Sequence, residues 1–349
     1  MFERICIEVT NSCNMRCSFC PNPTLKRQRY SLPFNLFKAI IDDMVCNNLS
    51  STVSFTGNGE PFLDVELGHK LEYCKEHGLK VVVTTNGLLL NKAEFLIDRV
   101  DALYISWQTI NGNSFALRRA NDWDYAAYEN NIIEYLKRVV KINACSPEIY
   151  LSIMLNAHLP KLMRALMADR FDSLLNQDEL QLMKVLERMH YAIREIRGEN
   201  LSTLQKRIIA DIRKGIVKIH LLNNIFFHIG QLHEWGGLLL ETSDSFCKLP
   251  TEQGTCRLML AGPQIMADGN VALCCIDAEG CTKIGSVENE KLSNVLRAKA
   301  YSESYNGFKQ GVVFQEYCKK CKGLWRHRSL FRNILFFLED QSACLGERL

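Results

Sequence analysis

The sequence has little that would place the chain in a membrane or on nucleic acid. No apolar run approaches the roughly 20 residues that span a bilayer, and the first nine residues begin a strand-like segment without an apolar export signal. Lysine and arginine together number 42 against 39 aspartates and glutamates, so the net charge of +3 leaves no basic footprint for nucleic acid. Internal repeats and low-complexity segments are also absent. We therefore expect a cytoplasmic globular protein, long enough at 349 residues for more than one domain.

Cysteine is the residue that the sequence has in excess. Fifteen cysteines in a chain without an export signal indicate metal binding or catalysis, because thiols in the cytosol stay reduced. Three of them, Cys13, Cys17 and Cys20, follow the first predicted strand in one short loop. Three thiolates can hold three corners of a four-iron, four-sulfur cluster and leave one iron open. The alternatives are a zinc site, which prefers a fourth protein ligand, and buried structural cysteines.

A glycine-rich turn with the sequence TGNGEP occupies residues 56–61 at the carboxyl end of the second predicted strand. Glycines at such a position let the backbone approach a ligand closely, and Glu60 offers a carboxylate that can pair with an ammonium group. Taken alone, the same pattern is also typical of an ordinary turn between a strand and a helix.

Together, CNMRCSFC at residues 13–20 and GNGEP at 57–61 resemble the motifs of the radical S-adenosylmethionine (radical SAM) superfamily. The resemblance implies that the three thiols hold a [4Fe-4S] cluster whose open iron is chelated by S-adenosylmethionine. It also implies that the adenine lies near Phe19 and that the glycine-rich turn meets the methionine ammonium group. The cofactor-binding residues expected in that turn are Gly57, Asn58, Gly59 and Glu60.

Strand and helix patterns alternate along the first two-thirds of the chain, which favours an α/β fold with parallel strands. The predicted strands cover residues 4–10, 52–57, 80–86, 102–108, 148–156 and 217–224. The predicted helices cover residues 36–47, 66–77, 92–99 and 125–141. Six such units suit the partial (β/α)6 TIM-like barrel that the resemblance implies. We expect this core over residues 1–235 with a helical insertion at about 159–215, a small C-terminal domain at 236–325 and a helical tail at 326–349.

Polar residues alternate along several of these strands and predict a face that contacts cofactor or substrate. On the first strand they are Cys6, Glu8 and Thr10, and on the fifth they are Glu148, Tyr150, Ser152 and Met154. On the sixth predicted strand, Lys218 and His220 are the candidates for catalysis. Ser106 and Arg118 resemble family positions that hold S-adenosylmethionine, with Arg119 as an alternative to Arg118. The further cofactor-binding candidates are Asn86, Gln108 and Ser152.

A second group of cysteines lies near the C-terminus. Cys256, Cys274, Cys318 and Cys321 make a plausible four-thiolate site, a pattern that zinc ribbons share. It resembles the twitch subdomain, a shortened SPASM domain, which implies one auxiliary [4Fe-4S] cluster on these four residues. Spacing leaves Cys275 as an alternative to Cys274, and Cys281 is a candidate ligand or hydrogen donor.

The resemblance implies an enzyme that cleaves S-adenosylmethionine reductively to a 5′-deoxyadenosyl radical, with a flavodoxin or ferredoxin as electron donor. A second cluster with four protein ligands is suited to accept an electron, which favours a two-electron oxidation such as alcohol to ketone. The spacing of the second cysteine group resembles that of inosamine dehydrogenases, which implies a sugar or cyclitol alcohol as substrate. Three alternatives stay open. They are an epimerase of a sugar or peptide, a maturase that modifies a peptide or protein, and a non-enzymatic zinc or iron–sulfur structural protein.

Overall fold

The computed structural model describes residues 1–92, 99–142, 147–155, 177–193, 196, 198–230 and 248–325. Its centre is a ten-stranded sheet in the order β11-β10-β9-β1-β2-β3-β4-β5-β7-β6, and a separate pair joins β12 to β8. The strands are β1 (Ile5–Ile7), β2 (Thr52–Phe55), β3 (Lys80–Thr85), β4 (Ala102–Gln108), β5 (Glu148–Met154), β6 (Lys218–Leu222), β7 (Ile225–Gly230), β8 (Lys248–Leu249), β9 (Gln264–Ile265), β10 (Asn270–Ala272), β11 (Lys283–Ser286) and β12 (Leu324–Trp325).

Six neighbouring strands of this sheet, β1, β2, β3, β4, β5 and β7, pair in parallel. Apolar side chains such as Val81, Val83, Ile149 and Leu151 alternate along the strands and are fully buried, as in a sheet covered by helices. The α/β class predicted from the alternating pattern is therefore confirmed. Closure of the parallel strands into a six-unit partial barrel stays a prediction.

The sixth parallel strand is not the one that the sequence predicted. Residues 217–224 were expected there, but β6 (Lys218–Leu222) runs antiparallel to β7 as the outer strand of a hairpin. The parallel neighbour of β5 is β7, in register Ser152↔His228. Asn223 adopts a left-handed φ of 47°, so the Asn-Asn pair at 223–224 forms the hairpin turn that the prediction took for a strand end.

Helices flank the sheet and are also found in the described part of the predicted insertion. They are α1 (Phe34–Cys46), α2 (Leu67–Glu76), α3 (Gly112–Phe115), α4 (Tyr125–Ile142), α5 (Glu179–Ala192), α6 (Leu201–Arg213), α7 (Arg257–Ala261), α8 (Leu292–Arg297), α9 (Lys299–Lys309) and α10 (Glu316–Lys322). Short 3₁₀ turns cover Asn22–Thr24, Pro61–Leu63, Leu90–Lys92 and Ala116–Arg118. Among the described helices, none has the length and apolar character needed to cross a bilayer.

The described part of the predicted insertion contains two helices, α5 and α6. In α5, Asp178 and Gln181 form a reciprocal capping box, and in α6 the Asn200 side chain accepts hydrogen bonds from the first turn. Apolar residues at three-and-four spacing along these two helices are buried, among them Leu182, Met189 and Ile208. Residues 93–98 of the predicted helix at 92–99, and the predicted tail at 326–349, lie outside the described residues.

The C-terminal segment extends the same sheet. Strand β9 pairs in parallel with β1, and β10 and β11 continue outward as antiparallel strands. Gly262 makes the approach possible, because a Cβ at this residue would lie 1.8 Å from the carbonyl oxygen of Arg4. On the helical side, the Asp43 carboxylate accepts hydrogen bonds from the backbone N–H and the hydroxyl of Ser293. The two cysteine groups therefore lie on one continuous framework.

Candidate functional site

The first cysteine group lies in a loop that is fixed to two neighbouring segments. The backbone N–H of Ser18 donates to the carbonyl of Leu117 at 2.8 Å, and that of Arg16 to the carbonyl of Arg118 at 3.2 Å. Two of the sulfurs already receive backbone hydrogen bonds, at 3.5 Å, from Met15 to Cys13 and from Asn22 to Cys20. The loop therefore holds its thiols in defined positions before any metal binds.

The three thiols are close enough to influence one another. Burial raises the pKa of Cys13, Cys17 and Cys20, in the last case to about 12, and the neighbouring thiolates raise it further at Cys13 and Cys20. The Arg118 guanidinium opposes this effect on the Cys17 pKa. Such thiols stay protonated until a cation compensates their negative charge, which suits a group of metal ligands that release protons on binding.

The glycine-rich turn lies directly against the cysteine loop. A Cβ on Gly59 would lie 1.9 Å from the carbonyl oxygen of Thr10, so only glycine fits there. The backbone N–H of Glu60 donates to the carbonyl of Ser12 at 2.8 Å, immediately before Cys13. These contacts fix the distance between the turn and the thiols.

Glu60 is a buried carboxylate with a raised pKa. It is 1% exposed and accepts hydrogen bonds from the Thr85 hydroxyl at 2.8 Å and the Asn86 backbone N–H at 2.6 Å. Burial nevertheless raises its pKa to about 7. A carboxylate held this way gains from a cation brought to it, as a ligand ammonium group would be.

Asn86 joins this carboxylate to the first cysteine. Its side-chain amide donates to the Asn14 side chain at 2.7 Å and approaches the Cys13 sulfur at 3.7 Å, while its backbone donates to Glu60. In the sequence, Asn86 stands out only as the polar residue that ends the third predicted strand. The structure brings it to the centre of the site.

Asn58 provides a test of whether the site fits the cofactor that the sequence implies. Its side-chain oxygen is buried and has no hydrogen-bond partner among the described residues. An unmatched acceptor is costly unless a ligand donates to it. The unmatched oxygen, the buried carboxylate of Glu60 and the adjacent group of three thiols fit a cationic ligand beside an iron–sulfur cluster.

The polar residues predicted on β1 serve the framework instead of facing a ligand. The Glu8 carboxylate pairs with the Arg27 guanidinium at 3.0 Å and accepts the backbone N–H groups of Asn58 at 2.9 Å and Ala267 at 3.2 Å. Thr10 accepts hydrogen bonds from the backbone of Ser12 and the hydroxyl of Ser31. Glu8 thus links the glycine-rich turn to the C-terminal segment, a role that needs contacts between residues hundreds of positions apart.

Arg118 connects the end of β4 to the cysteine loop. It is 1% exposed, and its guanidinium donates to the Ser106 carbonyl at 2.7 Å, to the Gln108 side chain at 3.1 Å and to the Met15 sulfur at 3.0 Å. Arg119, the alternative, is exposed and has a left-handed φ of 46°. Phe19 is buried, whereas Ser106 and Gln108 are half-buried.

A row of polar and aromatic side chains continues from β4 across β5 to the hairpin. Tyr104 stacks on Tyr150 with ring centroids 4.3 Å apart, and Lys218 donates to the Tyr150 hydroxyl at 2.7 Å. His220 is exposed and its Nε2 contacts the carbonyl of Asn223 at 2.9 Å, within the hairpin turn. Sequence reasoning missed His228 on β7, 3.4 Å from the Ser152 hydroxyl, because the strand boundary was misplaced.

The second cysteine group gathers residues from three segments. Cys256 precedes α7, Cys274 follows β10, and Cys318 and Cys321 lie on α10. Burial raises the pKa of Cys274 and Cys318, and the charges of Cys256 and Cys321 raise both further. The four thiols are therefore close neighbours.

Cys275 and Cys281 lie near this group but make other contacts: the charge of Cys275 also raises the pKa of Cys274, and Cys281 acts on Tyr317 together with Cys274 and Cys321. Cys275 contacts the thiol of Cys6 on β1, and this hydrogen bond is the main cause of its raised pKa. The backbone N–H of Cys281 donates to the Asp277 carboxylate at 2.9 Å, and its exposed side chain lies near Tyr317. Cys281 precedes β11 at one edge of the sheet, whereas Lys218 lies on β6 at the other.

Neither group matches the arrangement for a single metal ion. Within the described ranges, no three or more histidine, cysteine, aspartate or glutamate side chains converge in the way that one bound ion requires.

Comparison with known families identifies both motif regions. Residues 7–166 match the radical SAM superfamily, and residues 256–322 match the SPASM family, described as an iron–sulfur cluster-binding domain. The chain belongs to the radical SAM superfamily and carries a C-terminal SPASM domain. Both matches confirm the resemblance drawn from the cysteine and glycine motifs, and together they imply iron–sulfur clusters and S-adenosylmethionine as cofactors.

Two curated relatives illustrate how far the similarity reaches. An uncharacterised protein of Methanocaldococcus jannaschii is 33% identical over 134 residues, 38% of this chain and 41% of that protein. The S-adenosyl-L-methionine-dependent 2-deoxy-scyllo-inosamine dehydrogenase of Niallia circulans is 29% identical over 97 residues, 26% of this chain and 38% of that enzyme. The chain thus matches well under half the length of these curated relatives.

Among solved structures, Streptococcus suis SuiB bound to its precursor peptide SuiA has a TM-score of 0.55 at 16% identity. The match covers 88% of this chain and 67% of SuiB. At this identity the likeness concerns the fold alone, and it agrees with the mixed α/β architecture described above.

Proposed function

We propose that this protein is a radical SAM oxidoreductase that oxidises an alcohol of a sugar or cyclitol. Two [4Fe-4S] clusters serve the reaction, one beside S-adenosylmethionine and one that accepts an electron. The reductant for the first cluster is a small electron carrier of the flavodoxin or ferredoxin type. The similarity to an inosamine dehydrogenase supports the substrate class over the matched 97 residues.

The observation that carries the proposal is the grouping of four thiols in the SPASM domain. Burial raises the pKa of Cys274 and Cys318, and the charges of Cys256 and Cys321 raise both further, while the Cys275 thiol contacts that of Cys6. Four protein ligands leave no open iron for a substrate. Such a cluster is suited to electron transfer, and a net two-electron oxidation requires an electron acceptor.

The residues of the chain that bind the first cluster and S-adenosylmethionine have separate proposed roles. Cys13, Cys17 and Cys20 hold the first cluster, which when loaded with S-adenosylmethionine supplies a 5′-deoxyadenosyl radical able to abstract hydrogen from an unactivated carbon. Glu60 and the Asn58 oxygen bind the ligand ammonium group. Asn86 contacts both Glu60 and Cys13 and so fixes their relative positions. The further residues proposed to contact the cofactor are Phe19, Gly57, Gly59, Ser106, Gln108, Arg118 and Ser152.

The groups proposed for substrate contact lie on β5 and the β6–β7 hairpin. Lys218 is held between the Tyr150 hydroxyl and the Glu148 carboxylate, at 2.7 and 3.3 Å, where it can neutralise charge on a bound alcohol. His220 is available to the same region only if it leaves the carbonyl of Asn223. Cys281, at the opposite edge of the sheet, is the residue that an epimerase would use to return a hydrogen atom.

The test begins with the anaerobically reconstituted full chain. Eight irons and eight sulfides per chain, with S-adenosylmethionine cleaved to 5′-deoxyadenosine on reduction, are expected, whereas stoichiometric zinc would leave only a structural role. The alcohols to be assayed are 2-deoxy-scyllo-inosamine, scyllo-inositol and myo-inositol. Dehydrogenation predicts one ketone and one 5′-deoxyadenosine per turnover without solvent deuterium in the product.

Epimerisation predicts the opposite isotope result, which makes the two reactions separable in one experiment. An epimer that contains one solvent deuterium, with no change in oxidation state, would replace the oxidoreductase assignment. The Cys281→Ser variant then provides the control, because its product would lose the deuterium only if this thiol returns the hydrogen atom. Absence of turnover with every alcohol, together with modification of a peptide, would reassign the protein as a maturase.

A further inference from the structure

Three side chains capable of proton transfer share one row across the last strands of the sheet. In this row Ser152 on β5 is paired with His228 on β7, and His228 is paired with Lys218 on β6. The Ser152 hydroxyl and the His228 Nδ1 are 3.4 Å apart, at the long end of hydrogen-bond distance. Both residues are half-buried, so the pair is within reach of a bound molecule.

This row lies on the same face of the sheet as Tyr104 and Tyr150. Tyr104 on β4 pairs with Tyr150 on β5, and Ser152, two residues beyond Tyr150, therefore points to that face as well. The Ser106 carbonyl accepts a hydrogen bond from Arg118, whose charge acts on the Cys17 thiol. Adjacent strands are about 4.8 Å apart, so β7 lies roughly 10 Å from β4. A molecule the size of one sugar ring spans that distance.

We propose that Ser152 and His228 form a proton relay that takes the proton of the substrate hydroxyl. The inference rests on the proposed alcohol oxidation and adds the residues that perform its proton transfer. Neither residue was assigned this role by the sequence, where Ser152 appeared only as a cofactor contact. Two residues on neighbouring parallel strands meet here because the register of β5 and β7 places them side by side.

The 5′-deoxyadenosyl radical removes the hydrogen atom from the carbinol carbon and becomes 5′-deoxyadenosine. The substrate O–H bond then breaks, its proton passes to the Ser152 oxygen, and the serine proton passes to His228 Nδ1. One electron leaves the resulting substrate radical anion for the auxiliary iron–sulfur cluster, and the carbon–oxygen double bond of the ketone is formed.

Charged and titratable neighbours of the imidazole come from each adjoining strand. The rings of Tyr104 on β4 and His228 are nearly perpendicular, with their centroids 5.7 Å apart. Lys218 on β6 lies opposite His228 in the strand pairing. On β5, Glu148 and Tyr150 bind the Lys218 amino group, which keeps that positive charge two residues from Ser152 along the strand. The ammonium group favours a negatively charged oxygen on the substrate, and with it transfer of the proton to His228.

The test compares Ser152→Ala and His228→Gln with wild type, with His77→Gln as a matched control at the end of α2, where His77 stacks against Tyr73. The alcohols are those named above, and ketone and 5′-deoxyadenosine are counted separately. Loss of a general base lowers a rate by roughly 10²- to 10⁴-fold. We therefore expect ketone formation to fall by about 100-fold or more in both variants, while 5′-deoxyadenosine formation by His228→Gln stays within about threefold of wild type.

A pH profile supplies a readout that a merely structural effect would not move. Wild-type ketone formation is expected to fall in acid, where imidazoles take up a proton, and the fall should be absent from the residual activity of His228→Gln. If wild type forms ketone and both variants form it at the same rate, the relay is overturned and the proposed function stays intact. If wild type cleaves S-adenosylmethionine but makes no ketone from any of the alcohols, the proposed function fails, and the relay with it.

Discussion

Removal of the Glu60 charge tests how the site recognises its ligand. The side chain is 1% exposed, lies within hydrogen-bond distance of Thr85 and Asn86, and has a pKa raised to about 7 by burial. In Glu60→Gln the shape of the side chain is kept and the negative charge is lost. A ligand ammonium group that pairs with this carboxylate should then bind more weakly.

The size of the effect follows from the charge and the pKa. A hydrogen bond to a charged group contributes about 1.5 to 3 kcal/mol, so the dissociation constant of S-adenosylmethionine should rise by about 10- to 100-fold. Because Glu60 binds the ammonium only when ionised, wild-type affinity should also fall about eightfold between pH 7.5 and pH 6.0, given a pKa of about 7. The ligand's own amine, with a pKa of about 7.8, is about one-third deprotonated at pH 7.5, which reduces the net fall to about sixfold. In Glu60→Gln this fall should disappear, and only the smaller, opposite effect of the amine should remain.

The same pKa predicts how the ligand-free protein responds to pH. A carboxyl group whose folded-state pKa is raised from 4.5 to about 7 contributes stability below its unfolded pKa and loses it as the pH rises through 7. The loss is about 3 kcal/mol of unfolding free energy between pH 4.5 and pH 8. Glu60→Gln should lack this contribution.

The assay is anaerobic titration calorimetry on the reconstituted chain, with Glu134→Gln as control. Glu134 is exposed on α4 and pairs only with Lys137, at 2.7 Å, among the ion pairs of the described residues, so its charge is remote from the site. An affinity within twofold of wild type, with the same pH dependence, would refute the role given to Glu60.

Three further results are expected. Cys274→Ser should lose about half of the bound iron, whereas Cys275→Ser should keep it, because Cys275 contacts Cys6 rather than the other three thiols of the SPASM site. Equal iron contents of the two variants by elemental analysis would contradict this assignment. Gly59→Ala should prevent S-adenosylmethionine binding, as a Cβ would lie 1.9 Å from a carbonyl oxygen, and calorimetry that finds native affinity would be incompatible with the observed turn. Glu8→Gln should lower the free energy of unfolding by about 3 to 5 kcal/mol, because Arg27 would remain buried without its partner, and denaturant melts with an unchanged midpoint would exclude this.

Local sequence patterns predicted the chemistry of the site well. The cysteine loop and the glycine-rich turn are each continuous in sequence, and their ligand types and spacing depend on a few neighbouring residues. Helix α5 is equally local, since Leu182, Val185 and Leu186 have the three-and-four spacing of one buried face. Family comparison confirmed both cysteine regions.

The sequence pattern could not predict contacts between residues that lie far apart in the chain. Glu8 was expected to face a ligand, yet its partners Arg27, Asn58 and Ala267 lie 19, 50 and 259 positions away. The sixth parallel strand was misplaced because apolar residues continue on both sides of the Asn-Asn turn, and a shift of one hairpin strand hid His228. Alternation of polar residues marks a face of a strand, but it does not say which other strand will pair with it.

The central claim is that three thiols of one loop hold an iron–sulfur cluster with an iron left for S-adenosylmethionine. Its most direct test is reductive formation of 5′-deoxyadenosine by Cys17→Ala, with Cys46→Ala, at the exposed end of α1, as control. The account predicts that Cys17→Ala loses at least 99% of the activity, since a rate loss of 100-fold corresponds to about 2.7 kcal/mol of activation energy, and that Cys46→Ala keeps it. Formation of 5′-deoxyadenosine at the wild-type rate by Cys17→Ala would contradict the account.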